Sequence, residues 1–135
     1  MDDLLADFLT ETQEGLVTLD AALVRLEQAP DDAPTLSEVF RVVHTIKGTC
    51  GFLGLGRLEA VAHAAENVLG RYRDRSLPVT RDGISLILRA LDSIRAIVAG
   101  LEAAGAEPEG DDAPLIAALN AAAAGEAPPA APQPE

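Results

Sequence analysis

The chain has 135 residues, enough for one domain and short for two, and 48% of them are hydrophobic, so a core can be built. Only 3% are aromatic and none is Trp, which leaves Leu, Ile, Val and Ala as core material and favours helix over strand. The net charge of -12 argues against a nucleic-acid partner. One cysteine, Cys50, precludes an intramolecular disulfide and fits a reducing compartment. The start Met1-Asp2-Asp3-Leu4 lacks a signal peptide's basic region, and no apolar run approaches the roughly 18 residues of a membrane span. A soluble cytoplasmic domain without membrane insertion is expected.

In chain order, Leu5, Phe8, Leu9, Thr12, Leu16, Leu19, Leu23 and Leu26 recur at three- and four-residue steps and predict a first helix over 2–28. Its acidic first half suits the positive end of the helix dipole. Pro30 to Pro34 breaks the pattern. Thr35-Leu36-Ser37-Glu38 has capping-box spacing, with Thr35 as N-cap, and starts a second helix that runs to Phe52. Its buried side is Leu36, Val39, Phe40, Val43, Ile46 and Cys50; Gly51, Gly54 and Gly56 loosen its end.

A third helix is predicted over 57–74, burying Leu58, Val61, Ala62, Ala65, Val68, Leu69 and Tyr72. Thr80 is the N-cap of a fourth helix reaching Ala104, with Ile84, Ile87, Leu88, Leu91, Ile94, Val98 and Leu101 inward. Asp112 as N-cap and Pro114 just inside predict a short extra helix over 113–124. Residues 126–135, rich in Pro and Ala, read as a flexible tail or linker. The expected fold is all-α: an antiparallel up-down four-helix bundle (core 2–104) with a short additional C-terminal helix, making a domain of residues 1–125.

Fold does not name a function; a site does. At about 100° per residue, His44 lies about 120° from the centre of the second helix's apolar stripe, on a flank open to solvent. Ser37, Arg41, Gly48 and Gly51 share that flank within about 60°. Glycine inside a helix costs about 1 kcal/mol against alanine. Gly48 and Gly51 beside an exposed His either clear room for another protein surface or serve helix packing and the helix end. Lys47 lies one turn on, with a stem that can follow the core edge and lift its ammonium toward the imidazole. On the third helix His63 and Glu66 are i,i+3 neighbours at the edge of the stripe. A carboxylate there could hold Nδ1–H of His44 and leave the Nε2 lone pair outward. Spacing alone favours Glu66 as a solvated surface charge and leaves His63 ambiguous.

The stretch Val43-His44-Thr45-Ile46-Lys47-Gly48-Thr49-Cys50-Gly51-Phe52-Leu53-Gly54, with His63-Ala64-Ala65-Glu66 downstream, resembles the phosphorylation motif of histidine-containing phosphotransfer (HPt) domains. The similarity is strongest to the N-terminal domain of CheA-type chemotaxis histidine kinases. It covers residues 2–104 and departs mildly at Thr49 and Cys50, where Gly or Ala is common. The resemblance implies phosphorylation at Nε2 of His44, Lys47 near the phosphoryl oxygens, space kept by Gly48, and Nδ1 held by Glu66 with His63 in the same network. It further implies phosphate received from a CheA-type kinase catalytic domain and given to an aspartate of response regulators of the CheY and CheB kind. Arg41 and Gly51 are candidate docking positions.

No phosphate-cradling Gly-rich loop or acidic Mg²⁺ cluster appears in the sequence, so no cofactor is expected to bind directly; ATP and Mg²⁺ would act through the partner domains. No resident metal is expected, and the isolated domain is expected to be monomeric. Three other readings stay open: a metal-binding bundle using His44, His63 and Glu66, a non-catalytic helical adaptor, and a free-standing phosphorelay intermediate.

Overall fold

Asp32 opens the helix that carries the site, and it does so three residues before the expected cap. In the computed structural model, which describes residues 3–125, α1 spans Asp3–Gln28 and α2 spans Ala33–Leu53. The Asp32 carboxylate accepts from the Thr35 backbone N–H at 3.2 Å and from its hydroxyl. Thr35 is therefore inside the helix and no capping box forms. The reason is that Asp is as strong an N-cap as any residue, and Pro34 fits the first turn because its missing N–H would have lacked a helical partner anyway. Glu38, freed from capping, pairs with Arg25 of α1. At the other end Gly54 closes α2 at φ 73°, a conformation that favours glycine.

The third and fourth helices, α3 (Gly56–Arg73) and α4 (Arg81–Ala104), follow. The Thr80 hydroxyl accepts from Gly83 N–H at 3.0 Å, the N-cap read from the sequence. The short α5 (Ala113–Ala123) matches its predicted position. Asp112, expected to cap it, makes no side-chain cap hydrogen bond; Arg57 of α3 takes its carboxylate, with Nε–Oδ2 at 2.6 Å, and Asp111 accepts from Ala113 N–H instead. Glu107, in the loop before α5, accepts from the backbone N–H groups of Arg57 and Leu58 at 3.2 and 2.7 Å. That carboxylate caps α3, whose own N-cap position, Leu55, has no side-chain acceptor.

Side-chain pairs give the register. Arg25–Glu38 joins the end of α1 to the start of α2, Glu66 of α3 meets the middle of α2, and Asp20 and Gln13 of α1 reach Arg95 and Glu102 of α4. Each pairing runs opposite ways along its two helices, so α1 to α4 form an antiparallel up-down bundle. α5 starts beside Arg57 and ends with Gly125 near Leu77, so it runs alongside α3 in the same direction. No strand occurs among the described residues. None of their helices is long and apolar enough to cross a membrane. The expected tail, 126–135, and the first position of the expected first helix, Asp2, lie outside the described residues.

The core follows the predicted stripes closely. All seven residues assigned to α3 are buried, as are Phe8, Leu9, Thr12, Leu16, Leu19 and Leu26 of α1. Leu5, Leu23, Phe40 and Leu88 are only half-buried. The bundle also buries residues beyond one stripe, including Ala64, Leu86, Ala90 and Ile97, because α5 packs against both α3 and α4. One contact is unusually tight. A Cβ at Gly83 would stand 1.6 Å from the hydroxyl of buried Tyr72 and 3.1 Å from Thr80 Oγ1. Alanine normally improves a helix interior; here Gly83→Ala is expected to cost about 2 kcal/mol through overpacking. A urea melt measures it, and an unchanged or raised midpoint contradicts the packing described.

Candidate functional site

His44 sits on the flank of α2, and its side chain is 59% exposed, as the helical arithmetic requires. Its Nδ1 meets Oε2 of Glu66 on α3. The other carboxylate oxygen of Glu66 accepts from Lys47 Nζ at 2.8 Å. Because Lys47 lies three residues after His44 on α2, the two side chains rise from one face and straddle a single carboxylate on the neighbouring antiparallel helix.

Spacing favoured Glu66 as a solvated charge; the structure places it only 8% exposed. Burial works to raise its carboxyl pKa. The hydrogen bonds from Lys47 and His44, with their charges, outweigh this and hold the group below its ordinary value of 4.5. A carboxyl depressed in the folded state adds stability that is complete above the unfolded value and fades as pH falls through the lower, folded one. Comparing melts of wild type and Glu66→Gln should therefore show a difference that shrinks as pH falls below 4.5 into stronger acid. A difference independent of pH down to full protonation would contradict the ionised carboxylate.

The remaining site candidates are distributed unevenly. A Cβ at Gly48 would find nothing within 4 Å, so that side of His44 is open. Gly51 faces Glu59 of α3, whose Oε2 would lie 2.4 Å from an added Cβ. Arg41 is exposed on α2. His63 is exposed and does not join the cluster: among the described residues, Glu66 is shared by His44 and Lys47 alone. The physical reason is the rotation of α3 against α2: His63 and Glu66 share one side of α3, about 60° apart, and the packing turns Glu66 under α2 while His63 stays in water. The same geometry leaves the His44, His63 and Glu66 trio of the metal-binding reading unassembled. Among the described residues, no group of three or more His, Cys, Asp or Glu side chains is placed to hold a metal ion.

Two residues near the site were not singled out as functional by sequence. Phe40, assigned to the core, gives a ring face to His44, with centroids 5.8 Å apart and planes 9° from parallel. The Arg73 guanidinium lies 4.0 Å from the Phe40 ring centroid. The i,i+4 spacing of Phe40 and His44 was a readable signal; Arg73, on another helix, offered none. Cys50, deeper in α2, is buried, and burial followed by the Glu107 and Glu59 charges pushes its thiol up to about 12, leaving it protonated and unreactive at neutral pH.

Residues 3–104 match the family model described as Hpt domain. The chain is 38% identical over 110 residues to the sensor histidine kinase CheAY of Helicobacter pylori, covering 79% of this chain and 14% of that protein. It is 36% identical over 105 residues to the chemotaxis protein CheA of Halobacterium salinarum, covering 78% and 16%. The chain thus spans about one-sixth or less of the length of these relatives. Among solved structures it is similar to the phosphorylated P1 domain of CheA3 in complex with CheY6 from R. sphaeroides, with a TM-score of 0.82, 30% identity, and 94% of this chain and 100% of that one covered. An exposed imidazole braced by a buried carboxylate, on a four-helix bundle that matches over this span, places the chain in the Hpt domain family.

Proposed function

We propose that His44 accepts a phosphoryl group at Nε2 from an ATP-bound kinase catalytic domain of the CheA type and passes it to an aspartate of a response regulator of the CheY or CheB kind. The observation that carries the reading is the ring's placement: Nδ1 is engaged by Glu66 while the side chain is 59% exposed, which turns Nε2 to solvent. The Nε2 lone pair attacks the γ-phosphorus of ATP, the bond to the bridging β–γ oxygen breaks, and ADP leaves. Nδ1 keeps its proton, so the ring gains positive charge as the P–N bond forms. The Glu66 carboxylate lies where that charge develops and stabilises it. In the return step the regulator's carboxylate oxygen attacks phosphorus, the P–N bond breaks, and the electron pair goes back to Nε2.

Lys47 serves two partners in this reading. It pairs with Glu66 at rest, and its ammonium, held on the same carboxylate that engages His44, would offset part of the charge of about -1.5 to -2 that a phosphoryl group adds. Gly48 keeps the approach to phosphorus clear. The docking face extends along α2 from Arg41 through Gly48 to Phe52, whose side chain is exposed on the same i,i+4 row as His44. A groove of about 330 Å³ between α1 and α2, lined by Phe8, Thr12, Arg41, Val42, Ile46 and Thr49, borders that row. We assign ATP and Mg²⁺ to the partner domains and a cytoplasmic setting to the whole. Residues 1–125 form the phosphotransfer unit and 126–135 its tail.

The test is incubation with a CheA-type kinase domain, Mg²⁺ and γ-labelled ATP. The expected label is lost in acid, survives alkali, and chases onto a CheY-type regulator. A label stable in acid, or none from a kinase domain that phosphorylates related domains, would overturn the proposal.

A further inference from the structure

A half-exposed imidazole has two soft torsions. The outer one, between the side-chain methylene and the ring, is broad and roughly two-fold. The hydrogen bond from Nδ1 to Glu66 supplies one restraint, on the position of one ring atom. It leaves the ring plane, and with it the direction of the Nε2 lone pair, incompletely set. In-line attack at phosphorus depends on that direction, and a misplacement of about 1 Å can cost about 100-fold in rate.

Phe40 supplies the missing restraint. It lies one turn before His44, and the two rings are stacked with planes only 9° apart. Phe40 is itself seated by α3. A Cβ on Gly70 would lie 3.4 Å from Phe40 Cε2, so the ring rests over a position that has no side chain. The Arg73 guanidinium, 4.0 Å from the ring centroid, holds it by a cation–π contact. Arg73 also donates to Asp74 at 3.1 Å at the helix end. The series Asp74, Arg73, Phe40, His44 thus runs from α3 onto the imidazole, separate from the Glu66 and Lys47 contacts.

We propose that Phe40 and Arg73 are positioning residues for phosphoryl transfer: Phe40 sets the plane of the His44 ring, and Arg73 holds Phe40 in the orientation that does so. The inference rests on His44 being the phosphoryl acceptor. It assigns the energetic role to orientation, so the turnover step should respond and partner binding should not.

The test is steady-state phosphorylation of the full chain by a CheA-type kinase domain at saturating ATP, with the chain as varied substrate. Phe40→Leu, which keeps apolar bulk and loses the flat face, is expected to lower kcat about tenfold with KM within about twofold. Phe40→Tyr keeps the face and is expected to restore kcat to within about twofold of wild type. Arg73→Gln lies at the surface, spares the core, and is expected to lower kcat about threefold, with Arg73→Lys in between. This pair carries the test if Phe40→Leu folds poorly. Wild-type kcat in both Phe40→Leu and Arg73→Gln overturns the inference, as does a Phe40→Tyr variant no faster than Phe40→Leu. A raised KM with kcat unchanged makes Phe40 a docking contact and equally overturns it. A wild-type chain that takes no label removes the parent reading; a labelled wild type with fully active Phe40→Leu and Arg73→Gln variants removes this inference alone.

Discussion

His44→Gln is expected to abolish phosphoryl acceptance while leaving the bundle folded. The two halves of that result have separate causes. The side chain is 59% exposed and outside the core, so the substitution removes little packing, and glutamine is a better helix former than histidine. A change in stability within about 0.5 kcal/mol follows for a surface position of this kind. The amide of glutamine can still reach Glu66, but it carries no ring nitrogen lone pair to attack phosphorus. A thermal melt by circular dichroism, set beside the labelling assay, checks both. Residual label above a few per cent of wild type would mean that another group accepts phosphate.

Glu66→Ala is expected to slow phosphorylation about 10- to 100-fold, the range found when the group that orients a functional imidazole is removed. Three effects add in the same direction. Nδ1 of His44 loses its acceptor, so the ring's tautomer and its position are no longer held. The charge that offsets the developing imidazolium disappears. Lys47, 26% exposed along its side chain, loses the carboxylate that fixes its ammonium at 2.8 Å. Single-turnover labelling at saturating kinase domain measures the rate directly. A Glu66→Ala variant phosphorylated at the wild-type rate would show that His44 needs no carboxylate, and the mechanism above would fail with it.

The helices were legible in the sequence because each has one apolar stripe at helical period and strong punctuation between stripes. The Thr80 cap and Gly54 as a helix end are local signals and appeared where chemistry places them. Errors arose where distant residues compete for one side chain. Asp112 has the right position to cap α5, yet Arg57, 55 positions earlier, takes its carboxylate. Thr35 and Glu38 have capping-box spacing, yet Asp32 caps first and Arg25 claims Glu38. No local rule ranks such rivals.

The site divides along the same line. The exposure of His44 followed from its angle on α2, and the proximity of Lys47 from its three-residue step. The burial of Glu66 did not follow from α3 alone, because it depends on how far α2 and α3 are rotated toward each other. That rotation also decides that His63 faces water and that Phe40 stops short of the core, with a ring face left for His44. The motif named the candidate residues; the packing of α2 on α3 determines which of them touch.

The most direct test of the account is nitrogen–phosphorus NMR on the chain labelled with ¹⁵N-histidine and phosphorylated by a CheA-type kinase domain. The account predicts a one-bond coupling between phosphorus and Nε2 of His44, with Nδ1 still protonated. Phosphorus bonded to Nδ1 of His44, or to His63, would contradict it.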